Sequence, residues 1–321
     1  MTRSLRQISR DARRLSPVFI IGEARSGSSM LYRILLRHSS FAPRRETLQE
    51  TSLIRQAPLA YGFDGQNPAN LRRYMLDDDD CWRAFLASLR PIRPLLRAAA
   101  LTQPLLGERF PWAWYLAPSR LVARSYLVHA QRARGSRRTL EKTPRHVEHV
   151  GRLFGCFPRA RLLYIHRHPV DVYSSYVRRG QTDPKAHWAR IPVEEFCALY
   201  RRNARRALRA AARRPQAVRL VRYESFTADP ERGLREICGF LGEPFEPGLL
   251  GGFDADRARW AHWEGSSVLY GPVVQTTKDW TDYLSAADAR RVEDELAPEM
   301  RRFGYRRHLP SAGAAAGGHS L

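Results

Sequence analysis

The chain has 321 residues, of which 43% are hydrophobic and 10% aromatic, and its formal net charge is +22 at pH 7. This length and apolar content predict a folded chain with a full core and exclude a wholly disordered protein. Of the 54 basic residues 51 are arginine, and they are spread along the chain, so the charge does not indicate dedicated nucleic-acid binding and is equally consistent with an acidic substrate or an anionic polymer or surface.

The cysteines and the apolar segments indicate the cellular compartment. Cys81, Cys156, Cys197 and Cys238 are spread singly, which argues against a disulfide framework or a zinc site and suits a reducing compartment. The apolar run that follows the basic N-terminal segment is too short for a signal peptide, and no apolar stretch is long enough to cross a bilayer. We therefore expect a cytoplasmic protein without a transmembrane segment.

Short apolar segments predict the strands of a buried sheet, at residues 17–22, 161–166 and 217–223, with a weaker strand at 138–141. Helical patterns alternate with them, at residues 28–38, 145–155, 170–179, 193–213, 229–241 and 286–303. Alternating strands and helices predict an α/β fold, with a central parallel sheet flanked by helices.

The organisation of the chain changes between residues 53 and 135, where prolines repeatedly interrupt helical patterns. We interpret this stretch as a mostly helical insertion. The expected organisation is a basic segment at 1–16, a single domain at 17–305 that contains the insertion, and a flexible tail at 306–321. No internal repeat is visible.

A first anion-binding signal follows the first predicted strand, in the stretch Gly22-Glu23-Ala24-Arg25-Ser26-Gly27-Ser28-Ser29. A glycine-rich loop at a helix N-terminus binds phosphate or sulfate through backbone N–H groups. The common triphosphate loop has a lysine directly after its second glycine, whereas Ser28 stands there and Arg25 precedes that glycine. The alternative interpretation is a plain strand-to-helix turn.

Two further signals follow later strands. Arg167 comes directly after the strand at 161–166, and Ser175 and Arg179 lie four residues apart on the helix that follows, so the three groups suit a phosphate monoester. Lys142 follows the weak strand and is one of only three lysines in the chain, which favours a specific use of its compact ammonium group. The alternatives are a solvated helix with surface arginines and a lysine retained by chance.

Taken together, these motifs resemble the sulfotransferase family, whose donor is 3′-phosphoadenosine 5′-phosphosulfate (PAPS). The R-S-G-S-S loop resembles the family's 5′-phosphosulfate loop, and the pattern from Arg167 to Ser175 resembles its 3′-phosphate motif. Tyr223-Glu224 and Lys278-Asp279-Trp280 resemble two later elements that hold the donor. The matches run in family order from about residue 17 to 284, closer to the tyrosylprotein and carbohydrate branches than to the small-phenol branch.

The resemblance implies a P-loop-like fold and a set of donor-binding residues. These are Arg25, Ser26, Gly27, Ser28, Ser29, Arg167, Ser175, Arg179, Tyr223, Lys278 and Trp280, with Ser266 or Ser267 as an additional hydroxyl. It also implies a catalytic set consisting of Arg25, Lys142 and a base. Glu46 has the spacing from Arg25 that the branch's catalytic Glu has, while His146 lies near the base position of the small-phenol branch and is the rival base.

The implied reaction is in-line transfer of a sulfuryl group from PAPS to a hydroxyl of a carbohydrate, lipid, peptide or secondary metabolite. No metal is required when cations already lie around the transferred group. The chain leaves two other functions open: a P-loop kinase-like, nucleotide-dependent enzyme, and a non-catalytic protein that binds anionic polymers. Neither the acceptor nor the oligomeric state is specified by any motif.

Overall fold

The computed structural model describes residues 5–42, 90, 121, 123–132, 135–184, 186–251 and 279–310. The four strands within these ranges are β1 (Val18–Gly22), β2 (Leu140–Lys142), β3 (Arg161–His166) and β4 (Val218–Arg222), and they form one sheet in the order β2-β1-β3-β4. All three strand pairs are parallel. The central parallel sheet is therefore confirmed. The weak strand predicted at 138–141 forms at Leu140–Lys142, with Lys142 as its last residue.

The sheet separates two hydrophobic cores because side chains alternate along each strand. Phe19 and Ile21 of β1 enter one core, and Val18 and Ile20 enter the other. Every residue of β1 is buried, as expected for a central parallel strand covered by helices on both faces. Gly22 ends the strand with φ of 153°, and a Cβ there would lie 2.3 Å from the Ile165 carbonyl oxygen, so only glycine allows the two strands to pair this closely.

The helices follow the predicted order with a few differences. In chain order they are α1 (Leu5–Arg14), α2 (Ser28–Leu36), α3 (123–132), α4 (Val150–Cys156), α5 (Pro169–Thr182), α6 (Val193–Arg213), α7 (Tyr223–Ala228), α8 (Pro230–Leu241), α9 (Ala286–Glu295) and α10 (Ala297–Phe303). The single helix predicted at 286–303 is two helices, because Pro298 starts a new one. The helix predicted from residue 145 begins as a 3₁₀ turn, Pro144–His149.

The segments at both ends of the predicted domain contact it. Helix α1 buries Ile8 and Ala12 in the larger core, so the basic segment at 1–16 contains a docked helix. The boundary predicted at residue 305 divides a segment whose contacts with the domain continue from Gly304 to His308. Most of the predicted insertion at 53–135 lies outside the described residues. None of the described helices has the length and apolar character needed to cross a bilayer.

The parallel sheet determines where the three anion signals lie. The residues after β1, β2 and β3, and the start of α7 after β4, all follow the carboxyl ends of their strands. In a parallel sheet these ends share one edge, which is where open α/β sheets bind ligands. Neighbouring positions on this edge are Gly22 of β1 and Ile165 of β3, which pair in register.

Candidate active site

The loop between β1 and α2 has a strained backbone and a close neighbour. Arg25 and Gly27 have φ of 70° and 96°, in the left-handed region. A Cβ on Gly27 would lie 2.5 Å from Cδ2 of Tyr223, so this approach requires glycine. The amide and the hydroxyl of Ser26 both donate to the carbonyl of Glu23, at 3.3 and 2.7 Å. Gly27 gives α2 no side-chain cap, which leaves N–H groups at the start of this helix available to an anion.

Arg25 connects the first two anion signals, which lie 150 residues apart. Its Nε donates to Oγ of Ser175 at 3.0 Å. The pKa of Arg25 is lowered to about 10, mainly by burial. The charges of Arg178, Arg179 and Arg167 contribute to the same shift. A largely buried cation among like charges is stabilised by an anion, so these guanidinium groups favour anion binding here.

Arg167 is held in place from several sides. Its Cζ lies 4.6 Å from the centroid of the Tyr223 ring, the same ring that packs on Gly27. Its Nε is 3.7 Å from Oδ2 of Asp171, and its carbonyl accepts a 2.9 Å hydrogen bond from Tyr200. Tyr223 therefore joins the loop after β1 to the arginine after β3, a tertiary contact that local sequence spacing does not reveal.

The residue after Arg167 is also fixed by a carboxylate. The backbone N–H of His168 donates to Oε1 of Glu224 at 2.8 Å. Oε2 of Glu224 accepts from the hydroxyl of Tyr305 at 3.1 Å. The acidic residue of the predicted Tyr223-Glu224 pair thus supports the turn that presents Arg167.

The two arginines at the end of the second motif differ in their surroundings. Arg179, predicted to bind the donor, forms an ion pair with Asp183 at 2.5 Å. Arg178, which the motif comparison missed, is the largest charge acting on Arg25. Arg178 follows Ser175 by three residues and so shares its helix face, and that spacing was the available signal.

Lys142 and His146 lie on the other side of β1. Lys142 is buried at the end of β2, in register with Ile20. His146 is also buried, and its Nδ1 is 3.1 Å from Oε2 of Glu141, whose Oε1 accepts a hydrogen bond from Thr143. Its ring meets the Phe19 ring edge-on at 6.3 Å. This core position does not favour His146 as the group that takes a proton from an acceptor.

Some of the remaining predicted residues lie within the described part of the chain, and the others lie outside it. Ser28 is buried and Ser29 half-buried at the start of α2. The Trp280 carbonyl accepts from Ser174 of α5 at 3.5 Å, which brings the predicted late element next to the second motif. Glu46, Lys278, Ser266 and Ser267 lie outside the described residues.

Glu23 is a buried carboxyl group that the motif comparison did not single out. The Oδ1 atom of Asn203 accepts from Arg206 at 3.4 Å, which leaves the amide N–H groups of Asn203 to donate to Glu23. The Oε1 atom of Glu23 has no hydrogen-bond partner within the described residues. Burial, helped by the charge of Glu148, raises the pKa of Glu23 to about 7 against an ordinary value of 4.5. The carboxyl is therefore largely neutral in mildly acidic solution.

We expect Glu23→Gln to stabilise the protein in alkaline solution. The raised pKa means that the folded wild type loses stability as the pH rises from 4.5 to about 7. At about pH 8 the glutamine variant should gain up to about 3 kcal/mol in the free energy of unfolding, whereas near pH 4 the two should be equal. Urea unfolding at both pH values measures this, with the exposed Glu231→Gln as the charge-matched control. Equal stability of Glu23→Gln and wild type at pH 8 would contradict the expectation.

Comparison with known proteins identifies the family of this chain. A family model described as "Sulfotransferase family" matches residues 17–247, which include the loop after β1, the helix start after β3 and Tyr223. The chain belongs to the sulfotransferase family. The family and the P-loop-like α/β fold inferred from the motifs are thus confirmed.

Relatives of this sulfotransferase are known by sequence and by structure. The omega-hydroxy-beta-dihydromenaquinone-9 sulfotransferase of Mycobacterium bovis is 24% identical and covers 92% of this chain and 76% of its own length. The sulfotransferase domain of the Synechococcus PCC 7002 olefin synthase has a TM-score of 0.57 at 19% identity, covering 92% of this chain and 97% of its own. The sulfotransferase domain of the curacin biosynthetic pathway has a TM-score of 0.55 at 19% identity, covering 93% and 100%. At these identities the structural matches establish the fold.

Proposed function

We propose that this sulfotransferase transfers a sulfuryl group from PAPS to a hydroxyl acceptor by in-line displacement. The observation that carries the proposal is the 3.0 Å contact between Arg25 and Ser175. It brings the loop after β1 and the helix after β3 side by side at one sheet edge. A donor with a phosphosulfate at the 5′ position and a phosphate at the 3′ position of one ribose needs two adjacent anion subsites of this kind.

The two subsites divide the donor between them. The N–H groups at the start of α2, with Ser26, Gly27, Ser28 and Ser29, bind the 5′-phosphosulfate. Arg167, Ser175 and Arg179 bind the 3′-phosphate, and Tyr223, with Lys278 and Trp280, holds the remainder of the donor. The proposal is supported by the packing of Tyr223 on Gly27 and under Arg167, which ties both subsites to one side chain.

The reaction forms one bond and breaks one. The acceptor oxygen attacks sulfur, the bond between sulfur and the bridging phosphate oxygen breaks, and its electron pair leaves with adenosine 3′,5′-bisphosphate. Glu46 takes the proton of the acceptor hydroxyl. Arg25 and Lys142 neutralise charge on the bridging and sulfonyl oxygens, so the reaction requires no metal.

The acceptor is the part of the reaction that the donor site does not specify. A hydroxylated lipid is the first class to test, because the mycobacterial relative is named for a hydroxylated menaquinone derivative and aligns with 92% of this chain. Hydroxyl groups of carbohydrates, peptides and secondary metabolites are the further classes. A screen of labelled donor against these classes, with mass-spectrometric identification of the product, would identify the acceptor.

A kinase-like use of the same loop is disfavoured. A triphosphate loop needs a lysine directly after Gly27, and Ser28 stands there instead. The second anion subsite at Arg167 and Ser175 has no role in binding a linear triphosphate. A purely electrostatic polymer binder would not need the strained loop and the close Gly27–Tyr223 contact.

We expect adenosine 3′,5′-bisphosphate to stabilise the protein against heat. A ligand present at 100 times its Kd adds about 2.7 kcal/mol to the free energy of unfolding, which corresponds to a rise of several degrees in Tm. Thermal unfolding with the bisphosphate, with ATP with and without magnesium, and with heparin at two salt concentrations measures this. Stabilisation by ATP with magnesium and none by the bisphosphate would overturn the proposal. A response to heparin alone that fades with salt would indicate the polymer binder.

A further inference from the structure

The segment that follows α10, Gly304–His308, packs on the turn that carries Arg167. It lies beyond the residues that the family model matches. The hydroxyl of Tyr305 donates to Glu224 at 3.1 Å and accepts from Nδ1 of His166 at 2.8 Å. Cζ of Arg222 lies 4.5 Å from the centroid of the Tyr305 ring. The C-terminal segment is therefore attached to the ends of β3 and β4, next to the turn that carries Arg167.

His308, at the end of this segment, reaches the first turn of α5. Its Nε2 is 3.4 Å from Oδ1 of Asp171, and Oδ2 of the same carboxylate is 3.7 Å from Nε of Arg167. Asp171 is thus shared between His308 and Arg167. The backbone N–H of His308 donates to Glu293 of α9, which anchors the imidazole from the other side.

Two aromatic rings, those of His168 and Trp280, lie next to the His308 imidazole. The His168 ring lies 3.8 Å from it, centroid to centroid, and the Trp280 ring is nearly parallel to it at 6.4 Å. Nε2 of His168 donates to the Arg306 carbonyl at 3.0 Å, and its Nδ1 accepts from Val170 at 3.3 Å. These bonds fix His168 in one neutral tautomer, so His308 is the imidazole of the pair that is free to gain a proton.

We propose that His308 is a positioning residue of the donor site, which competes with Arg167 for Asp171 and strengthens anion binding when protonated. The protonated imidazole pairs with the Asp171 carboxylate. Asp171 then neutralises less of the charge of Arg167, and the guanidinium attracts the 3′-phosphate more strongly. When His308 is neutral, Asp171 compensates Arg167 instead. This inference rests on the proposed use of Arg167 to bind the donor.

The charges that face His308 favour its protonated form. The hydrogen bond to Asp171 raises the pKa of His308, and the charges of Asp171, Glu293 and Glu224 act in the same direction against burial. Burial alone would raise the pKa of Asp171, but its bond to His308 and the charge of Arg167 outweigh that effect and lower it. The pKa of His168 is lowered to about 4, mainly by burial, so this ring stays neutral. Anion affinity should therefore fall as the pH rises through the raised pKa of His308.

The test compares the Kd of adenosine 3′,5′-bisphosphate for wild type, His308→Gln and His308→Lys by calorimetry between about pH 5.5 and 8.5. At low pH we expect His308→Gln to bind about threefold to fivefold more weakly than wild type, and this ratio should approach one at high pH. His308→Lys retains a positive charge and should bind with wild-type affinity at low pH and more tightly than wild type at high pH. Because titration of the ligand affects all variants equally, it cancels in the ratios.

The exposed His187→Gln is the matched control and should follow wild type at every pH. A ratio of His308→Gln to wild type that does not change with pH, or that equals one throughout, would overturn the inference. If His308→Gln fails to fold, His308→Lys still tests the inference. A bisphosphate affinity of His308→Lys that falls with pH to the same extent as in wild type would exclude a titrating role for His308. Failure of wild type itself to bind the bisphosphate at any pH would instead contradict the proposed donor.

Discussion

Arg25→Ala should lower kcat/KM by about 10² to 10³, which is the effect of removing one preorganised charge from a developing oxyanion. Arg25 lies in the loop after β1, and its 3.0 Å hydrogen bond to Ser175 connects this loop to the helix after β3. Arg25→Lys should recover only part of the activity, because an ammonium group lacks the Nε donor and the planar fork of the guanidinium.

The same substitution should not lower the thermal stability of the ligand-free protein. The pKa of Arg25 is lowered to about 10 by burial and by three neighbouring arginines, so its charge is unfavourable until an anion arrives. We expect Arg25→Ala to unfold at or above the wild-type Tm while losing the stabilisation by adenosine 3′,5′-bisphosphate. The exposed Arg232→Ala, which breaks only an ion pair with Glu236, controls for the loss of one arginine. Wild-type kcat/KM in Arg25→Ala would remove this residue from the site.

The fold was predictable from the chain because its strands are continuous apolar runs. The strand at 161–166 and the helix at 193–213 were predicted with the bounds they have in the structure. The short helix Tyr223–Ala228 was not predicted, because its six residues carry too little periodicity. Local patterns also could not show that Pro298 divides the last helical stretch.

The candidate site was only partly predictable, because its connections span long distances in the chain. Motif order identified Arg25 and Ser175 separately, but their hydrogen bond depends on the sheet order. The sequence places His146 at the start of the helix predicted at 145–155 but does not show its burial against Phe19, which arises because the 3₁₀ turn lies over β1. His308 belongs to a segment without a motif, and its contact with Asp171 follows only from the path of the chain after α10.

Glu46→Ala should reduce kcat by about 10² to 10⁴, the usual contribution of a general base, and leave the Kd of adenosine 3′,5′-bisphosphate unchanged. The reason is a separation of roles between donor and acceptor. In the proposed reaction Arg25, Arg167 and Ser175 hold the donor, whereas the base acts only on the acceptor hydroxyl. His146 is the rival, but it is bonded to Glu141 inside the core. Single-turnover kinetics at saturating donor, with calorimetry of bisphosphate binding, measures both quantities.

A control variant and the pH profile of kcat distinguish Glu46 from His146 as the base. Glu50→Ala removes a carboxylate four residues away in the same segment, at a position that matches no motif, and should leave kcat within about twofold. Loss of the acidic limb of the kcat profile in Glu46→Ala would identify the titrating base, since that limb reports the base in the enzyme–substrate complex. Near-normal turnover in Glu46→Ala would transfer the role to His146, and the Glu141–His146 pair would then have to open to the acceptor during the reaction.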